Sequence, residues 1–434
     1  MHRLSRLALA AAFAAAIVGL QLPTPRQVAG ADGLQVSAAS TYTVNPAGPR
    51  LDVTIQIQMR NTTPNGGGLQ YYYDTAVVYL EKNATGVRAT ADSGSATASR
   101  YQAGTTYDAW KITFTSVIYY GSSRVLTVTY SIPGGSPRSS SINRVGAAYA
   151  DFCVISNGLD SGTVRVVAPA SFTFTFTAVK GVFTSATAGG TTTWTSSTIT
   201  DNAGFWACFA GSNPWAYTST SVRSPSGREI IVQSWPEDQE WRDTITGEVA
   251  AAIGPLEALV GRGLPGSGTI SVQEVTAYSL GYYAGTFDTE RNLARISEQM
   301  DAGTVAHELS HAWFNGNLFS ERWLSEGSAG WAESAVTNDA CTDPGAAPTS
   351  TANLDTWTFA GPRATAAELA AVAYEYAASC HVVTEIAARA GADGTRRALG
   401  ALLDGLGAYQ SAAARPRLSG KAGDRKSTRL NSSH

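Results

Sequence analysis

Residues Thr304 to Glu333 read TVAHELSHAWFNGNLFSERWLSEGSAGWAE, and within them His307, Glu308 and His311 form an H-E-x-x-H motif. On an α-helix, residues four apart are offset by only about 40° around the axis, so the two imidazoles stand side by side and can hold one metal ion. Glu308, between them, is badly placed to be a third ligand but can reach a water on the open side of that metal. A second, apolar helix is predicted from Trp323 to Val336, carrying Glu326 and then Glu333. A seven-residue step returns to nearly the same helical face, so both carboxylates can look toward the first helix. Two histidines and one glutamate with a fourth position open form a catalytic zinc set rather than a closed structural one, which implies one Zn2+ per chain. Outside His2 and the terminal His434, the only histidines are His307, His311 and His381, so two of three fall inside the motif.

HELSHAWFNGNL followed by WLSEGSAGWAE resembles the gluzincin metallopeptidases of the membrane alanyl aminopeptidase family. The resemblance implies His307, His311 and Glu326 as zinc ligands and Glu308 as general base. It also implies a peptide or protein substrate. The family's usual connection between the second histidine and the ligand glutamate is longer than the fourteen residues Ala312 to Ser325 found here. The shortening falls around Phe319 to Arg322, in a connecting loop where a deletion costs little. Glu333 is expected to accept a hydrogen bond from one of the ligand imidazoles, fixing its tautomer.

The chain has 434 residues, is 44% hydrophobic and 15% charged, and carries a formal charge of −3. That is enough for two or three cores, with no basic excess that would suggest nucleic acid or an anionic membrane. His2, Arg3 and Arg6 precede an apolar run from Leu7 to Leu20, and Ala29-Gly30-Ala31 offers a cleavage site. Residues 1–31 therefore read as a secretory signal peptide, giving a secreted or cell-surface protein. No later stretch is long and apolar enough to span a bilayer. Four cysteines in an exported chain suggest two disulfides, most simply Cys153 with Cys208 and Cys341 with Cys380, although three pairings are open.

The fold class expected is α+β in two domains. From 32 to 225 the period is two: Leu51, Val53, Ile55, Ile57 and Met59 alternate with polar partners, as do Phe172, Phe174 and Phe176, while 110–119 and 124–132 are β-branched and aromatic runs. Turn clusters such as Asn65-Gly66-Gly67-Gly68 separate them, so this half is all β. Tyr71-Tyr72-Tyr73 is read as strand packing rather than a carbohydrate platform. The second domain, 226–415, opens with a strand from Glu229 to Trp235, a helix from Pro236 to Val260 and a strand from Thr269 to Val275. The helix has Trp241, Ile245, Val249, Ile253 and Leu256 on one face. This order, followed by the metal helix, is that of a thermolysin-like zinc peptidase domain, mostly helical after the metal helix. Further helices are expected from about Ala364 to Ala390 and Thr395 to Leu406.

In the family, a Y-E-K-G-like segment supplies a tyrosine that donates to the oxyanion. Its match here is Tyr374 in Ala373-Tyr374-Glu375-Tyr376-Ala377. His381, seven residues on, reads as a packed helix histidine. The family's G-x-M-E-N strand, whose glutamate holds the substrate's α-amine, has no counterpart in Gly281-Tyr282-Tyr283-Ala284-Gly285-Thr286-Phe287-Asp288. Asp288 or Glu290 could replace that anchor, which would make an aminopeptidase of atypical type; otherwise an endopeptidase is expected. A cell-surface binding protein with an inactive peptidase-like domain is the reading from another class, and the intact base Glu308 argues against it. Residues 416–434 are polar and unpatterned, and DRKSTRLNSSH resembles a translated vector artefact, so a shortened natural C-terminus is expected.

Overall fold

The computed structural model describes residues 33–405 except 67, 180, 282, 302, 349–352 and 358–363, and for 177–179 the backbone alone. The expected signal peptide, the tail 416–434 and Tyr282 lie outside the described residues. The chain divides into two compact units between Tyr217 and Thr218. The first is rich in sheet and the second combines sheet and helix, an α+β composition.

In the first unit, strands Leu34–Asn45 and Arg50–Asn61 pair antiparallel from Leu34↔Asn61 to Asn45↔Arg50. Arg50–Asn61 pairs in turn with Ser123–Pro133, placing it inside a seven-stranded sheet. Because successive side chains of a strand point to opposite faces, Leu51, Val53, Ile55, Ile57 and Met59 are all buried while Gln56, Gln58 and Arg60 face out. A four-stranded sheet holds Tyr149–Ile155 against Trp206–Ser212, where Cys153 and Cys208 lie directly opposite and form a disulfide. A three-stranded sheet comprises Tyr72–Glu81, Tyr107–Tyr119 and Ala96–Gln102. The tyrosine triplet departs from expectation. Only Tyr73 packs on the core; Tyr71 and Tyr72 are exposed, and Tyr72 lies beside its cross-strand partner Tyr119.

Inside this core sits a polar group invisible to strand periodicity. Glu81 is buried and accepts hydrogen bonds from Tyr130 Oη at 2.9 Å and Tyr42 Oη at 3.4 Å. Burial pushes its carboxyl up to about 7, despite those bonds. Unfolded, the same group releases its proton near 4.5. Between those two pH values the native state binds more protons than the unfolded state, so stability from this group falls as pH rises through the window. The expected loss is about 3 kcal/mol in all, since one unit is about 1.4 kcal/mol. Glu81→Gln, which cannot ionise, should gain on the parent by that amount between pH 4.5 and pH 8 in denaturation of the full chain. A gap between the two proteins that does not change with pH would refute it.

The second unit is built on a five-stranded sheet in the order Thr218–Arg223, Glu229–Ser234, Ile270–Val275, Leu293–Ser297, Gly285–Asp288. The three central strands run parallel, and helix α1, Gln239–Val260, makes the crossover between the first two of them. Asp238 caps α1 by accepting from Trp241 N, and Gly261 ends it in the left-handed conformation at φ 74°. The predicted apolar stripe of Trp241, Ile245, Val249, Ile253 and Leu256 is buried throughout. Each such side chain contributes roughly 1.5–3 kcal/mol. A short helix α2, Ala277–Leu280, leads to the edge strand Gly285–Asp288.

The metal-motif helix α3, Thr304–Ser310, is short, and His311 follows as its C-cap, still in right-handed helical conformation. Asn315 ends it by donating to the carbonyls of His311 at 2.9 Å and Ala312 at 3.3 Å. Helix α4, Arg322–Thr337, follows, and α5, Ala366–Leu403, opens with a capping box between Thr365 and Glu368. The two C-terminal helices expected separately meet at Gly391, whose φ of 67° and ψ of 165° break the helical run. Cys341 and Cys380 form the second disulfide, tying the segment after α4 to α5. Among the described residues, no helix is long and apolar enough to cross a membrane.

Candidate metal centre

Helices α3 and α4 bring His307, His311 and Glu326 together, with one potential ligand atom from each inside a span of 4.8 Å. Glu326 Oε2 lies 3.3 Å from His307 Nε2 and 3.5 Å from His311 Nε2. Two ligands of a tetrahedral zinc, each about 2.0–2.2 Å from the ion, are roughly 3.4 Å apart, so these spacings suit the edges of a zinc tetrahedron.

The far side of each imidazole is also fixed. His311 Nδ1 is 2.7 Å from the Phe314 carbonyl oxygen, which can only accept, so Nδ1 carries the proton and Nε2 keeps its lone pair. His307 Nδ1 is 3.2 Å from Glu333 Oε2, an acceptor that imposes the same tautomer. Glu333 thus stands where the seven-residue spacing puts it. Gly303 makes room for it: its φ of +90° favours glycine, and a Cβ there would collide with Glu333 Oε1. Two correctly oriented imidazoles and a carboxylate oxygen fit a zinc ion, with a fourth position left to solvent or substrate.

Burial alone would lower the His307 pKa, but its contacts with Glu326 and Glu333 outweigh that and hold it well above the ordinary value in the metal-free site. For Glu326, burial is likewise opposed and overcome by the two imidazoles, which hold its carboxyl far below the usual range. Glu308 is buried beside them, and burial pushes its carboxyl up. It packs against the edge strand at Gly285, where a Cβ would come within 2.7 Å of Glu308 Cγ and 2.8 Å of its Oε1. The close approach of backbone to base explains why a glycine stands there.

The tyrosine beside the site is Tyr376. Its ring centroid lies 6.4 Å from that of His307, and its hydroxyl accepts from Arg322 Nη2 at 2.8 Å. Residues two apart on a helix point in nearly opposite directions, so Tyr374 and Tyr376 cannot both face α3. Tyr374 is half-buried elsewhere on α5. Arg322, unremarked in the sequence, was legible in one respect: it sits four residues before Glu326, hence one turn away on the same face. Trp357, more than thirty residues from both in sequence and 4.4 Å from the Arg322 guanidinium, had no such signal.

Asp288 Oδ1 accepts the backbone N–H groups of Glu290 and Arg291, both at 3.1 Å, and Oδ2 pairs with Arg291. Glu290 is exposed. His381 is half-buried on α5, its Nε2 without a hydrogen-bond partner among the described residues.

No protein-family model matches the chain, and no curated protein matches it. Among solved structures it is similar to an M1 zinc metallopeptidase from Deinococcus radiodurans, a Glu-to-Ala mutant bound to a Tyr-Ser-Ala substrate. The identity is 16%, the TM-score 0.34, and 92% of each chain is covered. It is also similar to a two-domain M1 zinc metallopeptidase mutant bound to L-tryptophan, at 15% identity and TM-score 0.32 over 90% of each chain. A further M1 zinc metallopeptidase from Deinococcus radiodurans matches at 16% identity and TM-score 0.31 over 86% of each chain. Superpositions this loose carry no inference, and the chemistry of the site rests on its own side chains.

Proposed function

We propose that this chain is an exported zinc-dependent metallopeptidase whose second unit is thermolysin-like, with His307, His311 and Glu326 as ligands and Glu308 as general base. The observation that carries the reading is the convergence of two Nε2 atoms and Glu326 Oε2 beside a buried glutamate. A zinc ion bound there supplies Lewis acidity and brings the pKa of a water in its fourth position toward about 7. Glu308 takes the proton from the attacking water and hands it to the leaving amine, a task favoured by a carboxyl whose proton affinity burial has raised. Tyr376, rather than Tyr374, donates its hydroxyl proton to the developing oxyanion; burial, its largest influence, keeps that hydroxyl protonated.

The second reading, an aminopeptidase, needs a carboxylate to meet the substrate's ammonium, because a buried cation without a partner is strongly disfavoured. Asp288 is committed to its own turn, which favours cleavage within extended peptides. One peptide assayed with its amine free and acetylated, each with and without a chelator, tests both levels. Cleavage abolished by the chelator, with the acetylated form cut at least as well, is expected. Cleavage indifferent to chelation would overturn the metallopeptidase, and a large fall in kcat/KM on acetylation would restore the aminopeptidase.

A further inference from the structure

We propose that Arg322 is a positioning residue that holds Glu326 with a single oxygen toward the metal and turns the Tyr376 hydroxyl proton toward the reacting carbonyl. This rests on the metallopeptidase reading and adds to it a residue that the H-E-x-x-H motif does not contain. Glu326 divides its carboxylate: Oε2 faces both imidazoles, while Oε1 lies 3.6 Å from Arg322 Nε. The same guanidinium donates through Nη2 to Tyr376 at 2.8 Å. A guanidinium has no acceptor, so the tyrosine oxygen must receive this bond and its own proton must point elsewhere. The Tyr376 ring centroid lies 6.4 Å from that of His307, which puts the phenol beside the metal-ligand cluster.

The guanidinium is held by its surroundings. Its side chain is only 11% exposed, its centre lies 4.4 Å from the Trp357 ring centroid and 5.4 Å from that of Tyr376, and those two rings meet edge to face. Asn353 N donates to Glu375 Oε1 at 3.1 Å, which ties the segment just before Trp357 to α5. A planar fork fixed in this way can serve a carboxylate and a phenol at once, whereas a lysine ammonium offers one point of charge on a flexible stem.

The test compares Arg322→Met, Arg322→Lys and Tyr376→Phe, alone and with Arg322→Met, in the full chain. It reads zinc affinity by chelator competition, kcat and KM at saturating zinc on one peptide, and the melting temperature. Partners that orient metal ligands typically change metal affinity by about 10- to 100-fold. Arg322→Met is expected to weaken zinc binding within that range and to lower kcat about tenfold or more with KM nearly constant, as for an interaction made only in the transition state. Arg322→Lys should recover most of the zinc affinity but little of kcat. Tyr376→Phe should lower kcat in the parent and add little in the Arg322→Met background. Unchanged zinc affinity in a folded Arg322→Met, or fully additive losses in the double variant, would overturn the proposal. If Arg322→Met does not fold, a lysine variant with full kcat would overturn it instead. A parent that binds zinc but cleaves no peptide defeats the hydrolase reading alone, and the zinc-affinity comparison still decides the hold of Arg322 on Glu326.

Discussion

Glu308→Gln is expected to lower kcat by about 10²- to 10⁴-fold while the protein keeps its zinc, the scale on which a positioned base contributes. The substitution preserves volume and one carbonyl oxygen, so the close packing against Gly285 survives. What disappears is the ability to accept a proton from water. KM should change little, because a proton transfer made in the transition state does not contribute to ground-state binding. Metal analysis beside steady-state kinetics checks both halves. Zinc lost together with activity would mean that Glu308 supports the ligands rather than the reaction, and turnover within a few-fold of the parent would remove it as the base.

Glu326→Ala should act on the metal first. Its Oε2 lies 3.3 and 3.5 Å from the two Nε2 atoms, so its removal leaves two imidazoles of this cluster to hold the ion. A complete zinc site is worth of order 10 kcal/mol or more, and losing one of three protein ligands should weaken binding by at least about 10²- to 10³-fold. The deletion also removes the carboxylate oxygen 3.6 Å from Arg322 Nε and the acceptor facing His307 and His311. Activity should return in part at high added zinc, which it would not do for Glu308→Gln. Full zinc occupancy in Glu326→Ala at nanomolar free metal would refute the assignment of the third ligand across the shortened loop.

Local periodicity was enough to read much of this chain. Alternation from Leu51 to Met59 placed a strand and its buried face, because a strand's inward set is fixed by parity alone. The stripe from Trp241 to Leu256 placed α1 in the same way. Spacings of four and seven residues made His307, His311, Glu326 and Glu333 legible as one constellation, since on single helices sequence distance converts directly into angle. The disulfides were readable as the simplest pairing within each half, and they form as such.

Other features depended on elements meeting in space. Whether Tyr374 or Tyr376 faces His307 depends on the rotation of α5 about its own axis, and nothing in a five-residue segment fixes that rotation. The buried Glu81 under Tyr42 and Tyr130 joins three strands far apart in sequence, and strand parity, which turns Val78 and Leu80 inward, gave no sign of its burial or of its partners. The turn in which Asp288 accepts from Glu290 N and Arg291 N and pairs with the Arg291 guanidinium was likewise not legible from spacing. The sequence by itself thus determined the two-part α+β build and the candidate ligands and base, all of which follow from spacing within one or two helices. Only the tertiary structure decided which tyrosine lies beside the site, and that Arg322 joins it to Glu326 under Trp357, because contacts between separate elements depend on packing that no local period encodes.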